Sequence, residues 1–508
     1  MSRPPFVYLL AAGVAAVAVV PLLILVYMAA GAELLLDARS LEVLANTLLL
    51  TLLTVIGSVV IGVPLALVTA YIELPWRRLW LVLLAAPLAM PSYIGAFTFY
   101  AAFGPGGEID NLLGLATPSM RGLAGATLVM TLYTFPFVLL TTRASLRSLD
   151  ASVLDAARVL GCSLGASLWR VVLPRVRNGI AAGALLVALY TLSDFGTPAI
   201  MGLDTYTRVI FVEYNAFGLS QAAMLSLQLV VIVGLVLFME TRIRTALERP
   251  GRAPVLRVGA APVAAIMLSV AIIAGLALLV PLLVFSLWLL REGAGHFSFS
   301  YAWNSAHAAI LAALGAVLLA VPVAYAAVAG RSGRVMERLT YFGFGLPGIV
   351  MGTALVYAGL QLPALYQTLT LLVLAYTLRF LPLAVSNVRA TAERLDPQLV
   401  QAARSLGASP TEAFRRISLP LSARGVVAGA ALVFLEAMRE LPATLLLRPT
   451  GFETLATHLW RVYEAGYFGR GAVPGLILIL LSLLGLAMIL AGERRAETTL
   501  RGEVTPGA

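Results

Sequence analysis

Apolar stretches long enough to cross a bilayer recur from one end of this chain to the other, and they leave few other folds open. One helical span needs about 20 mostly apolar residues. Such stretches lie at roughly 6–30, 43–72, 79–102, 122–142, 179–202 and 219–239. After a polar, arginine-rich break they return at roughly 261–290, 305–329, 339–360, 367–388, 425–446 and 471–491. The pattern predicts an all-α polytopic membrane protein with about 12 transmembrane helices in two sets of six. The first stretch exceeds the roughly 7–15 residues of a signal-peptide core, so it reads as a retained span. Composition agrees: 60% of the 508 residues are hydrophobic and 12% charged, against about 45–50% and 25% in soluble domains.

The charge is basic, +10, and carried wholly by arginine, since the 35 basic residues include no lysine. A standard phosphate-binding loop needs the lysine of GK[ST], and Schiff-base chemistry needs a lysine amine; both are excluded. Cys162 is the sole cysteine, which excludes an intrachain disulfide and a multi-thiolate metal site. His296, His307 and His458 are too far apart for a local zinc motif, and no stably bound metal is expected. The arginines cluster on alternate loops. If Arg3 is cytoplasmic, the same side carries Arg77, Arg78, the stretches 143–177, 242–257, 331–338 and 389–424, and Arg494 and Arg495, while the other side has only a few. The positive-inside rule then puts both termini in the cytoplasm. This distribution is a topological signal, and no nucleic-acid partner is expected.

The two sets of six are copies. Pro136 and Pro382, Arg143 and Arg389, Gly161 and Gly407, and Pro174 and Pro420 are each separated by 246 residues. Upstream the offset drifts, with Val63-Pro64 against Val321-Pro322 and Pro91 against Pro347. Equal span number and equal orientation make the repeats parallel, related by an axis along the membrane normal. The expected organisation is a first repeat at 1–240, a cytoplasmic linker at 241–260 and a second repeat at 261–508.

The cytoplasmic loop between the fourth and fifth span of each repeat is long, at about 143–178 and 389–424. Its sequence predicts two short helices joined by a glycine turn. Val153, Leu154, Ala157 and Leu160 fall at helical spacing, and Gly161 supplies a C-terminal positive φ. A second helix begins at Ser163 or Ser409; Ser409, Pro410 and Glu412 have the pattern of a capping box. Leu173-Pro174 and Leu419-Pro420 are expected to end that helix. Such helices suit transmission of force from a soluble partner; interfacial helices resting on lipid are the alternative.

These loops resemble the EAA loop of ABC importer permeases. The matching residues are Asp155, Ala156, Ala157, Gly161, Ser163, Leu173 and Pro174 in the first repeat, and Gln401, Ala402, Ala403, Gly407, Ser409, Glu412, Leu419 and Pro420 in the second. The resemblance implies that each loop's coupling helix docks in a cleft of a cytoplasmic ATPase. Gln401 departs from the acidic first position, which implies unequal contacts. Two longer stretches, SDFGTPAIMGLDTYTRVIF at 193–211 and LEAMRELPATLLLRPTGFETLATHLW at 435–460, resemble the fused, two-repeat permeases of ferric-iron importers. That likeness implies a non-enzymatic subunit of the bacterial inner membrane, with one copy per transporter and alternating access. It also implies two ATPase copies holding the ATP and Mg, and an extracytoplasmic binding protein delivering the cargo. Permeases for thiamine, polyamines or phosphonates share the architecture. A secondary transporter of the major facilitator type also has two parallel six-span halves, yet here the elaborate loops follow the fourth span.

Asp194 and Glu440 occupy equivalent positions, each about 15 residues, or roughly 22 Å of helix, beyond the glycine that starts its span. Charge at such depth is costly and marks a candidate site. With Tyr190 and Glu436 one turn below, these carboxylates would offer oxygen ligands to a hard cation in a translocation pathway. The alternative is structural: Asp194 caps the turn at Gly196-Thr197-Pro198, and Glu440 and Arg439 neutralise local charge. Cys162 is expected to be a small packing residue.

Overall fold

The computed structural model describes residues 5–32, 38–149, 156–242, 259–295 and 297–502. Every regular element among them is helical. Nine of these helices are long and apolar enough to cross a membrane, and up to 12 if three bent pairs each count as one span.

The bends mark where the sequence reading was too simple. The stretches at 79–102 and 339–360, expected as single helices, are each broken. Arg77–Ala89 and Ser92–Ala102 meet at 93°, and Arg331–Gly343 and Gly348–Gln361 at 94°. The breaks fall at Met90-Pro91 and Leu346-Pro347. Met90 and Leu346 are extended, with ψ of 136° and 123°, as a residue before proline prefers. Other prolines are held within helices: Pro64 and Pro136 in the first repeat, Pro322 and Pro382 in the second. The repeats therefore share both the prolines that break and the prolines that do not.

The chain folds into two compact units. One comprises Met1–Leu35, Val209–Val230 and His296–Tyr467. Within it, Phe299–Ala329 packs on Leu369–Ala392 and Ala423–Met438, and Pro5–Ala29 packs on Phe299–Ala329 and Arg331–Gly345. A fully buried stripe of Ala308, Ala309, Ala312, Ala316 and Ala320 lets these backbones approach closely.

The other unit comprises Leu36–Arg208, Val231–Gly295 and Phe468–Ala508. Ala38–Tyr71 packs on Gly122–Ser148 and on Leu173–Ser193. Gly183 sits where a side chain would meet the Val138 backbone, its Cβ only 2.6 Å from that Cα. Val280–Glu292 adds Phe285 and Trp288 to Phe97 and Phe468, with Phe97 5.4 Å from Trp288 and 5.5 Å from Phe468.

Packing thus partitions the chain differently from the duplication. The unit built mainly on the first repeat also holds the second repeat's first and last spans, and the other unit holds the first repeat's first span and part of its last. Most of the linker, 243–258, lies outside the described residues.

Candidate coupling segments and acid-capped turns

Asp155 lies outside the described residues, as do Val153 and Leu154. From Ala156 to the π-turn that follows the second helix start, the two loops share the same turns. In the first, Cys162 N–H donates to Ala157 O and Gly161 N–H to Arg158 O. In the second, Ala408 N–H donates to Ala403 O and Gly407 N–H to Arg404 O. Each is a Schellman turn with glycine in the left-handed region, φ 85° at Gly161 and 91° at Gly407. The helical segment before each turn exposes large apolar side chains: Val159 85%, Leu160 83% and Leu406 89%. Gln401 and Ala402 are also exposed, while Ala157 is buried. Cys162, expected to pack, is exposed instead.

The second helix starts on Ser163 or Ser409. Ser163 Oγ accepts from Ala166 N–H at 3.3 Å, and Ser409 Oγ from Glu412 N–H at 3.2 Å. The Glu412 carboxylate turns forward to Arg416, 3.1 Å away, so it serves an ion pair rather than the return bond of a capping box. A single π-turn follows in both repeats, Leu168–Val172 and Phe414–Ser418. Leu173-Pro174, expected to end a helix, lies inside a continuous helix, Gly165–Ser193. The wider π-turn absorbs the proline, which has no N–H for an α-helical bond. Leu419-Pro420 is followed by a bend: Pro410–Leu421 meets Ala423–Met438 at 62°. The bend centres on Ser422, whose Oγ lies 2.5 Å from Tyr325 Oη; that hydroxyl also donates to Ser418 O at 2.7 Å.

The acidic pair ends the same spans. Helix Leu173–Ser193 stops at Asp194 and helix Ala423–Met438 at Arg439, and each is followed by a short helix, Gly196–Met201 or Pro442–Leu447. Asp194 Oδ2 accepts from Thr197 N–H at 2.9 Å, and Glu440 Oε1 from Ala443 N–H at 3.1 Å. Both carboxylates thus cap the start of the short helix that follows. Ser92 Oγ also donates to Asp194. Glu440, 6% exposed, pairs with Arg379 at 3.1 Å. Tyr190 sits 5.9 Å, ring to ring, from Phe137, and Glu436 pairs with Arg439.

Two partners, Ser92 and Arg379, and their repeat counterparts were not singled out from the sequence. Arg379 has Tyr133 at its repeat position, whose hydroxyl donates to Ala277 O at 2.9 Å. Ser92 has Gly348 as its counterpart, where any side chain would collide with Arg379 and Glu440. The repeat offset itself was the signal that links these four.

Beyond the second turn, Glu453 Oε1 meets Arg461 Nη1 at 2.6 Å and Arg448 at 3.5 Å. His458 Nδ1 lies 3.1 Å from Arg461 Nη2, and its ring stacks on Tyr301 at 4.1 Å.

A duplicated helical bundle, with a solvent-facing helix–glycine–helix segment leading into one span of each copy, is the architecture of a membrane transport permease. The chain belongs to the family described as binding-protein-dependent transport system inner membrane component, which matches it twice, over residues 58–249 and 316–498. It is the permease of an ABC importer. It is 32% identical over 471 residues to the Fe(3+)-transport system permease protein FbpB 2 of Haemophilus influenzae, covering 89% of this chain and 90% of that one. A probable molybdenum ABC transporter permease of Haloferax volcanii is 32% identical over 38% of this chain and 71% of its own length. The spermidine/putrescine transport system permease protein PotB of Salmonella typhimurium is 29% identical over 42% of this chain and 78% of its own.

Proposed function

We propose that this permease imports ferric iron released by an extracytoplasmic binding protein. The observation that carries the reading is the 32% identity to a ferric-iron permease along 89% of the chain, through both repeats. The chain crosses a bacterial inner membrane as two parallel six-span repeats with both termini in the cytoplasm, one copy per transporter. Two copies of an ATPase, which hold the ATP and Mg, dock beneath the two coupling segments. The exposed Val159, Leu160 and Leu406 are the apolar surface such a dock would cover. Closing of the ATPases on ATP rocks the halves outward, and hydrolysis returns them.

The matched positions have distinct tasks. Ala156, Ala157, Ala402 and Ala403 keep the docking helix slim; Gly161 and Gly407 turn it; Ser163 and Ser409 start the next helix. Asp155 and Gln401 make the two contacts unequal. Asp194, with Tyr190 nearby, and Glu440, with Glu436, stand where cargo would pass. Their first task is capping the short helices that follow. A polyamine is the second reading, favoured by the likeness to the spermidine/putrescine permease.

The test is reconstitution in vesicles with the cognate ATPase and binding protein. ATP-dependent accumulation of ferric iron from the loaded binding protein is expected. Accumulation without the ATPase would overturn the ABC mechanism, and transport of spermidine but not iron would overturn the cargo.

A further inference from the structure

Arg143 and Arg389 hold the same position in the two repeats, yet their surroundings differ in sign. Arg389 is neutralised within the chain. Its guanidinium pairs with Glu337, itself 4% exposed, and its Nε donates to Glu393 at 2.7 Å. Arg143 is half-buried, and its Nε is buried without a hydrogen-bond partner among the described residues. The counterpart of Glu393 is Arg147, and helix Arg77–Ala89, the counterpart of the helix bearing Glu337, has no acid. Arg147 lies one turn further along the helix of Arg143, Gly122–Ser148, and helix Arg77–Ala89 packs on that helix. Among the described residues, the acid acting on Arg77 is the exposed Glu73.

Arg77 is firmly placed. Its Nε donates to Thr69 O at 2.9 Å and its Nη2 to Ala70 O at 3.0 Å, closing the C-terminal carbonyls of helix Ala38–Tyr71. Among the described residues, Nη1 makes no hydrogen bond. Beside it, Trp76 is 76% exposed and Leu79 48% exposed, while Trp80 Nε1 donates to Pro75 O at 3.0 Å. Tryptophan enrichment marks the headgroup level of a bilayer. Three guanidiniums with spare donors at that level, flanked by exposed apolar side chains, match an anion of several oxygens attached to an acyl chain.

We propose that Arg77, Arg143 and Arg147 bind the phosphate of an anionic phospholipid headgroup, at one site per chain. The second repeat has no such site, because Glu337 and Glu393 occupy its arginine. The proposal rests on the chain spanning a bilayer and is independent of the cargo.

The probe is phosphatidylglycerol, compared with phosphatidylcholine, in native mass spectrometry of the full chain extracted from vesicles of each. One retained phosphatidylglycerol per chain is expected. Arg143→Gln should weaken retention about fivefold, the effect of one basic group near an anionic surface. Arg147→Glu recreates the i,i+4 pairing of Arg389 with Glu393. It should abolish retention with no loss of thermal stability, which separates lost binding from lost folding. Equal retention of both lipids, undiminished retention in Arg147→Glu, or full displacement by inorganic phosphate alone would overturn the proposal, the last by assigning the site to a soluble anion.

Discussion

The first and second repeats enter their fifth span along the same backbone track and leave it in different shapes. Both have the Schellman glycine, the π-turn and the Leu-Pro dipeptide at matching positions. The burial pattern of 171–180 is also that of 417–426. Yet the first runs straight over Gly165–Ser193 while the second bends by 62°. The difference lies in two partner positions. Tyr325 and Ser422 form a buried hydrogen-bonded pair in the second repeat; their counterparts, Leu67 and Val176, belong to one apolar cluster in the first. Hydroxyls that bond across the helix hold it open at Ser422, whereas apolar side chains let it close. The acid-capped turns repeat the lesson: Asp194 is held by a serine, Glu440 by an arginine. Duplication has kept the turns and let the locks diverge.

The largest expected effect breaks the comparison at the ion pair. Arg379→Ala leaves Glu440 buried and unpaired, which typically costs about 3–5 kcal/mol. Tyr133→Phe, at the same repeat position, removes one neutral hydrogen bond worth about 1 kcal/mol. Unfolding midpoints of the two variants in detergent should therefore separate clearly, and equal losses would mean that Glu440 does not depend on Arg379. A smaller effect is expected from Ser422→Val combined with Tyr325→Leu, which installs the first repeat's pair in the second. Removing both partners together should change stability by roughly 1 kcal/mol or less. The helix should straighten, read as a changed distance between spin labels on either side of residue 422. An unchanged distance would trace the bend to the backbone alone.

The smallest effect concerns His458, whose first-repeat counterpart is Val212. Burial above all, then the charge of Arg461, holds His458 below the ordinary histidine value, with Glu453 opposing. The unfolded chain then binds a proton that the folded one refuses, so this contribution to stability is full above pH about 6.5 and declines below it. His458→Gln should flatten the thermal midpoint between pH about 6.5 and 5. A slope unchanged from the native protein would place the titration elsewhere.

Much of this was legible in the sequence because its causes are local. Hydropathy marked the spans, glycine marked the left-handed turns, and serine marked the helix starts at Ser163 and Ser409. Where the reading failed, the same local signal admitted two outcomes, and packing chose between them. Pro91 and Pro347 break helices, whereas Pro174 is absorbed by a π-turn, and nothing adjacent to each proline announces which will happen. Glu412 has the spacing of a capping box and the opportunity of an ion pair; Arg416 took it.

The membrane class, the duplication and the glycine turns at Gly161 and Gly407 were readable from the chain alone, since hydrophobic length and backbone conformational preference act over a few residues. The tertiary structure alone decided which chain segments pack together, so that each compact unit includes the opposite repeat's first span. It also decided which buried charges are answered. Among the described residues, Arg389 pairs with Glu393 one turn along its own helix and with Glu337 from another helix, whereas Arg143 Nε has no hydrogen-bond partner, because helix packing as well as spacing along one helix decides which groups come within about 3 Å.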